Sequence, residues 1–153
     1  DWAQTILRQY LFSQYQYILF EKLQFSNNIP LAAITAKALK EIKYHLRWSS
    51  EWVVRLGDGT TESKIRMTKA IDELWKYTGE MFLPAEYETL VDVSLLEKKW
   101  LDKVREIFNE ATLTVPENTF MQSGGKEGKH TEQLGFILTE LQYMQRTYPG
   151  AEW

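Results

Sequence analysis

The run Lys40-Glu41-Ile42-Lys43-Tyr44-His45-Leu46-Arg47 holds the residue types closest to metal chemistry in this chain. Helical bundles that bind two metal ions present Glu-x-x-His on inward faces. The i, i+3 spacing sets carboxylate and imidazole on one side of a helix. Here the imidazole is present as His45, but Ile42 stands three residues before it and has no donor atom. Glu41, four residues before His45, shares that face and offers another pair. One helix cannot supply a full ligand set, and the other histidine, His130, lies beside a glycine-rich stretch. Two readings follow. Glu41 and His45 join distant carboxylates in a metal-dependent oxygenase site. Alternatively, and as Ile42 favours, His45 is a buried, hydrogen-bonded core histidine, Glu41 pairs with a nearby lysine or arginine, and no metal binds.

A second constellation is Ser123-Gly124-Gly125-Lys126-Glu127-Gly128-Lys129-His130-Thr131-Glu132. Glycines let backbone N–H groups approach a ligand, a helix start follows, and Lys126 and Lys129 could meet phosphates. The order is not that of a P-loop, and no strand precedes it. The ordinary reading is a loop with a capped helix start; the sharper one is an anion or partner contact. A third stretch, Leu134 to Arg146, carries the stripe Leu134, Ile137/Leu138, Leu141, Met144/Gln145. Its ordinary reading is core packing, with Gly135 marking a close helix approach. Neither Gly-x-Ser-x-Gly nor a cysteine nucleophile is present.

The elements that must position these residues read as helices. A first helix, about Trp2–Phe25, carries Ile6, Tyr10, Ser13, Tyr17 and Phe20 on one stripe and Leu7, Leu11 and Ile18 on another, so it is buried on more than one side. Asp1 is its sole start signal. Pro30 suits the first turn of a second helix, about Leu31–Leu56, with Gly57 as a C′ glycine. Its inner stripe reads Ile34, Ala38, Ile42, His45, Ser49, Trp52. Thr60 or Thr61 caps a third helix reaching about Phe82 through Ile65, Thr68, Ile71, Leu74, Trp75 and Thr78. Ser94-Leu95-Leu96-Glu97 reads as a capping box opening a fourth, about Leu95–Ala111, with Leu96, Trp100, Val104, Ile107 and Phe108 inward. A loop from Thr112 to Lys129 leads to a fifth helix, about Thr131–Tyr148. The fold class is all-α, in one domain over 1–153.

Composition agrees. At 153 residues, 44% hydrophobic and 25% charged, the chain can bury a core. A net charge of −3 gives no field for nucleic acid. No apolar run reaches the ~18 residues of a membrane span. The absence of cysteine and of a signal-peptide pattern fits a cytoplasmic setting. Six Trp and eight Tyr suit wide helix packing or a large protein interface.

Specific stretches add a resemblance. They are Arg8-Gln9-Tyr10, Leu31-Ala32-Ala33-Ile34, Ala36-Lys37-Ala38, Lys40-Glu41, Tyr44-His45-Leu46-Arg47 and Arg55-Leu56-Gly57-Asp58-Gly59-Thr60. Towards the end come Asn109-Glu110-Ala111-Thr112-Leu113, Gly124-Gly125-Lys126, His130-Thr131-Glu132, Leu134-Gly135, and Gln145-Arg146 through Pro149-Gly150 to Trp153. Across essentially its whole length the chain resembles the C subunits of bacterial ring 1,2-phenylacetyl-CoA epoxidase.

The resemblance implies a ferritin-like bundle and a structural, non-catalytic role in phenylacetate breakdown. The implied partner is the catalytic A subunit, which holds the di-iron centre and most of the contact with phenylacetyl-CoA. Homo- and hetero-oligomers are implied, with no cofactor in this chain. Aligned on the catalytic subunit's Glu-x-x-His, the ligand glutamate falls on Ile42, the histidine on His45 and the preceding helix's carboxylate on Ser13. These are the vestigial positions. Lys126 and Lys129 become the candidate contacts for a CoA phosphate or a partner. The family carries two further helices before this region, so the chain is expected to be the C-terminal portion of a longer protein, lacking the first two bundle helices. The rival readings remain an active oxygenase using Glu41 and His45, and an acyl-CoA or anion-binding module using Lys126 and Lys129.

Overall fold

The helix start at Trp2 rests on Asp1: its carboxylate accepts from the Gln4 backbone N–H at 3.1 Å, and the Asp1 amine donates to the Gln4 side chain at 2.6 Å. The computed structural model describes residues 1–152; Trp153, the end of the C-terminal matching stretch, lies outside the described residues. Helix α1 spans Trp2–Leu23 and buries both expected stripes, Ile6, Tyr10 and Ser13 together with Leu7, Leu11 and Ile18. Tyr17 and Phe20 are half-buried.

Helix α2 spans Ile29–Gly57, capped by Asn28, whose side chain accepts from Leu31 N–H at 3.1 Å, with Pro30 in the first turn. Trp2 meets Trp48 and Trp52 edge-on at 6.1 and 6.2 Å, so the start of α1 lies against the end of α2 and the two run antiparallel. The buried line of α2 is Thr35, Ile42, Ser49, Val53 and Gly57. The expected stripe is therefore corrected: it is turned by about one residue, leaving Ile34 63% exposed and Ala38, His45 and Trp52 only partly covered. Small residues take the inner line. The hydroxyls of Thr35 and Ser49 donate back to Leu31 O and His45 O at 2.9 and 2.7 Å, so their burial leaves no unpaired group.

Gly57 is not the expected left-handed C′ residue. It sits inside α2, and Asp58 ends the helix with φ −96°. The glycine is there for space: a Cβ would lie 2.5 Å from Ala111 O and 2.9 Å from Ala111 Cβ. Gly57→Ala is expected to destabilise by about 1–3 kcal/mol, as overpacking against backbone does. Urea unfolding checks it, and an unchanged midpoint would show that the segment around Ala111 yields freely.

Helix α3 spans Thr61–Leu74, with Thr60 and Ser63 forming the cap. It does not continue to Phe82. The chain tightens into 3₁₀ turns over Trp75–Tyr77 and Gly79–Phe82, which bring Trp75 and Phe82 inward together. The inner face of α3 is Met67, Ala70 and Ile71; Ile65 and Thr68 are exposed, against expectation. The Ser94–Glu97 box does not form either. Asp92 caps instead, accepting from Ser94 N–H at 3.0 Å and starting a 3₁₀ turn at Val93–Leu96. Helix α4, Glu97–Glu110, follows with no side-chain cap. Its inward residues Trp100, Val104 and Phe108 are as the periodicity requires.

The core joins α1, α3, α4 and the 3₁₀ turns. Trp75, Phe82, Trp100 and Phe108 pack ring against ring, with centroids 5.3–6.2 Å apart. Tyr15 stands edge-on to Phe82 at 5.7 Å. Burial, then the carboxylate of Glu88 and the nearby Tyr87, push the Tyr15 hydroxyl up to about 12. Since its folded pKa exceeds its unfolded value of about 10, the folded state holds the proton more tightly. Stability should be full below pH about 10 and be lost as pH rises towards 12. Tyr15→Phe should flatten that alkaline loss, as alkaline melting curves would show.

Backbone contacts group the chain into one unit over residues 1–122 and another from Ser123 onward. In the second, the expected long helix is two short ones, α5 Gln133–Leu141 and α6 Tyr143–Thr147, broken at Gln142. Apart from the partly covered Leu134, residues of α5 and α6 are exposed. The stripe from Leu134 to Met144 thus forms no buried core, and Gly135 marks no close approach: nothing lies within 4 Å of the place its Cβ would take. Nine- and five-residue helices have too little apolar surface between them to bury one. Among the described residues there is no strand, and no helix is long and apolar enough to cross a membrane.

Candidate functional site

The antiparallel packing of α1 and α2 fixes what Ser13, Ile42 and His45 face. Ser13 is 1% exposed, and its hydroxyl accepts from Gln9 Nε2 at 2.8 Å. Ile42 is 8% exposed on the inner line of α2. His45, one turn on, lies at the edge of that line. Its side chain is 46% exposed, and Nε2 stands 3.8 Å from Glu41 Oε1, whose side chain is 78% exposed. Two expectations are corrected here. His45 is not a buried core histidine, and the partner of Glu41 is His45 rather than a lysine or arginine. The reason is the rotation of the α2 stripe: the inner line runs through Ile42 and Ser49, so position 45 falls on its flank.

The donor set of this face does not fit two iron ions. Ile42 offers no lone pair at the glutamate position of a Glu-x-x-His pattern, and Ser13 is a neutral hydroxyl already engaged by Gln9. Glu41 and His45 alone leave a site short of ligands. Among the described residues no three His, Cys, Asp or Glu side chains gather closely enough to hold a metal ion.

Lys126 and Lys129 lie in the second unit. Gly124 and Gly128 take left-handed backbone angles, φ 101° and 89°, and frame a 3₁₀ turn over Gly125–Glu127. Lys129 N–H donates to Gly124 O at 2.8 Å, closing the turn. The Lys129 ammonium lies 3.8 Å from Glu127 and is open to solvent. The expected cap on the following helix is absent: α5 begins after Glu132 with no side-chain cap.

The residues belong to a known group. The whole chain, residues 1–153, matches the family described as phenylacetic acid catabolic protein. The chain belongs to that family. It is 44% identical over 160 residues to the C subunit of 1,2-phenylacetyl-CoA epoxidase from Escherichia coli (strain K12). That alignment covers 100% of this chain and 64% of the relative, so the chain spans just under two thirds of the relative's length. The family resemblance read from the Tyr44–Arg47 and C-terminal stretches is thereby borne out.

One feature escaped the sequence reading. Between α1, α2 and α4 runs an open groove of about 560 Å³. Tyr17, Ile18, Tyr44 and Leu46 supply most of its floor, and Lys40, Lys43 and Arg47 from α2 face Lys99 and Lys103 from α4 across it. The signal was present as basic residues at i, i+3 and i+7 in α2 and at i, i+4 in α4. Only the packing shows that the two rows meet.

Proposed function

We propose that this chain is part of a structural, non-catalytic subunit of a phenylacetyl-CoA 1,2-epoxidase, acting in phenylacetate degradation beside a catalytic A subunit that holds the di-iron centre. The observation that carries the reading is Ile42: a buried aliphatic residue stands on the inner face of α2 where an iron-binding helix needs a carboxylate. The likeness to the Escherichia coli relative supports the enzyme to which the chain is assigned. The proposed fold is ferritin-like, with α1 and α2 as one antiparallel pair of the bundle. The proposed setting is the cytoplasm. Lys126 and Lys129 are proposed as peripheral contacts to a CoA phosphate or to the partner.

The test is co-expression with the catalytic subunit. The two should co-purify in fixed ratio, iron should follow the catalytic subunit, and the chain alone should carry less than stoichiometric iron. Tight iron binding by the chain alone would instead favour the oxygenase reading through Glu41 and His45. Phenylacetyl-CoA binding by the chain alone, lost on neutralising Lys126 and Lys129, would favour the anion-binding module.

A further inference from the structure

We infer that the groove between α1, α2 and α4 is a docking site for an acidic segment of the catalytic subunit. The inference rests on the functional reading above and adds the place and the chemistry of the contact.

Charge is the first argument. The chain has 18 Lys and Arg against 21 Asp and Glu, yet five cations and no carboxylate line this groove. Lys40/Lys43, Lys43/Arg47 and Lys99/Lys103 are each like-charge neighbours at helical i, i+3 or i, i+4 spacing, an arrangement that destabilises a helix. Three of the five reach carboxylates that do not line the groove: Arg47 to Glu51 at 4.0 Å, Lys99 to Glu21 at 2.7 Å and Lys103 to Glu106 at 2.7 Å. Lys40 and Lys43 have no carboxylate within ion-pair distance among the described residues. Glu21 is itself committed. Burial pushes its carboxyl up, but hydrogen bonds from Lys99 and Tyr17, with the charges of Lys99 and Lys22, outweigh that and hold it below its usual value. Lys40 and Lys43 are therefore the part of the row that an anion from outside this segment would complete.

The shape and the donors say which kind. Four of the five cations are lysines, point charges on flexible stems. No arginine pair or glycine turn is present to grip a phosphate from several sides. Lys40 to Arg47 spans seven residues of helix, about 10 Å, so the row can meet several carboxylates in succession. The floor is largely apolar, with Tyr17 and Tyr44 on it. An apolar, tyrosine-bearing centre within a charged rim is the anatomy of a protein interface. The matching ligand is a polypeptide segment with spaced Asp or Glu and an aliphatic or aromatic side chain between them. The rim charges would govern the rate of encounter and the salt dependence.

The test measures binding of the purified chain to the purified catalytic subunit at low and high salt. The unsubstituted chain should bind, and more weakly as salt rises. Lys40→Glu with Lys43→Glu should weaken binding by at least about tenfold and flatten the salt dependence. Lys40→Gln with Lys43→Gln should act in the same direction by less, and it preserves the test if the reversed pair folds poorly. Tyr44→Ala should weaken binding without altering the salt slope. Unchanged affinity in the folded lysine variants would overturn the groove while leaving the structural role intact. Competition by free CoA would also overturn it, since the groove would then be a small-anion site. Failure of the unsubstituted chain to bind the catalytic subunit at all would sink both readings.

Discussion

Trp100→Ala is expected to lower the stability of the chain by about 3–5 kcal/mol, the range for removing a buried large aromatic residue. Trp100 is central in three respects. It opens α4's inward face, one turn after the buried Leu96 of the 3₁₀ turn and one before Val104. Its ring lies 5.7 Å from Trp75 and 5.3 Å from Phe82, so it holds the 3₁₀ turns against α4. Its indole N–H donates to Leu11 O at 3.0 Å, which ties α4 to α1. That last bond bridges 89 residues of sequence and is buried. Alanine removes the ring contacts and the donor together. Phenylalanine keeps much of the volume and loses the bond, so Trp100→Phe should cost less, about 1–3 kcal/mol. Equilibrium unfolding in urea, followed by far-UV circular dichroism, separates the two. Equal losses for both substitutions would mean that the hydrogen bond, not the packing, sets the cost.

The same residue shows what could be read from sequence. Trp100, Val104 and Phe108 recur at helical spacing in a segment with one apolar face, and periodicity alone places them inward. The two stripes of α1 were legible for the same reason. Misreadings occur where local pattern meets a competing tertiary demand. In α2 the bulkier Ile34 drew the stripe one residue away from Thr35, although the buried line is formed by small hydroxyl residues that satisfy themselves within the helix. Gly57 matched the commonest use of a terminal glycine, but its cause is Ala111, 54 positions later in the numbering, a contact no local rule contains. Ser94-Leu95-Leu96-Glu97 has the letters of a capping box, yet Asp92 two residues earlier takes the Ser94 N–H and the Ser94 hydroxyl. The apolar pattern after Leu134 was real, but apolar periodicity states only that a face is coverable, not that this chain covers it.

The candidate site divides in the same way. The absence of a ligand at Ile42 is a statement about residue type, and sequence suffices for it. The surroundings of His45 depend on the phase of α2 against α1, and sequence placed it one flank too deep. The basic groove depends on α2 and α4, separated in the chain by α3 and the 3₁₀ turns, being side by side. No spacing rule links Lys43 with Lys99.

Ile42→Glu tests the proposed reading of this face directly, because it writes the letters Glu-x-x-His at positions 42 and 45. We expect no iron site and a loss of about 2–4 kcal/mol in stability at neutral pH. The side chain at 42 lies on the buried line of α2. On α1 the buried Ser13 is a neutral hydroxyl bound by Gln9. A carboxylate at 42 would give up water with only the half-exposed imidazole of His45 beside it on the helix, so burial would raise its pKa above the ordinary glutamate value. The sign then follows. The folded variant would bind a proton more tightly than the unfolded chain, and its deficit should shrink as pH falls below that raised pKa. Iron would need further ligands from neighbouring helices, and among the described residues no three His, Cys, Asp or Glu side chains gather to supply them. Parallel urea curves at pH 7 and pH 5, with metal analysis of protein grown in iron, read all of this. A variant as stable as its parent at neutral pH would show that α1 and α2 part easily at this level. Stoichiometric iron in the variant would show that a single carboxylate was all the face lacked, and that reading would displace the one argued here.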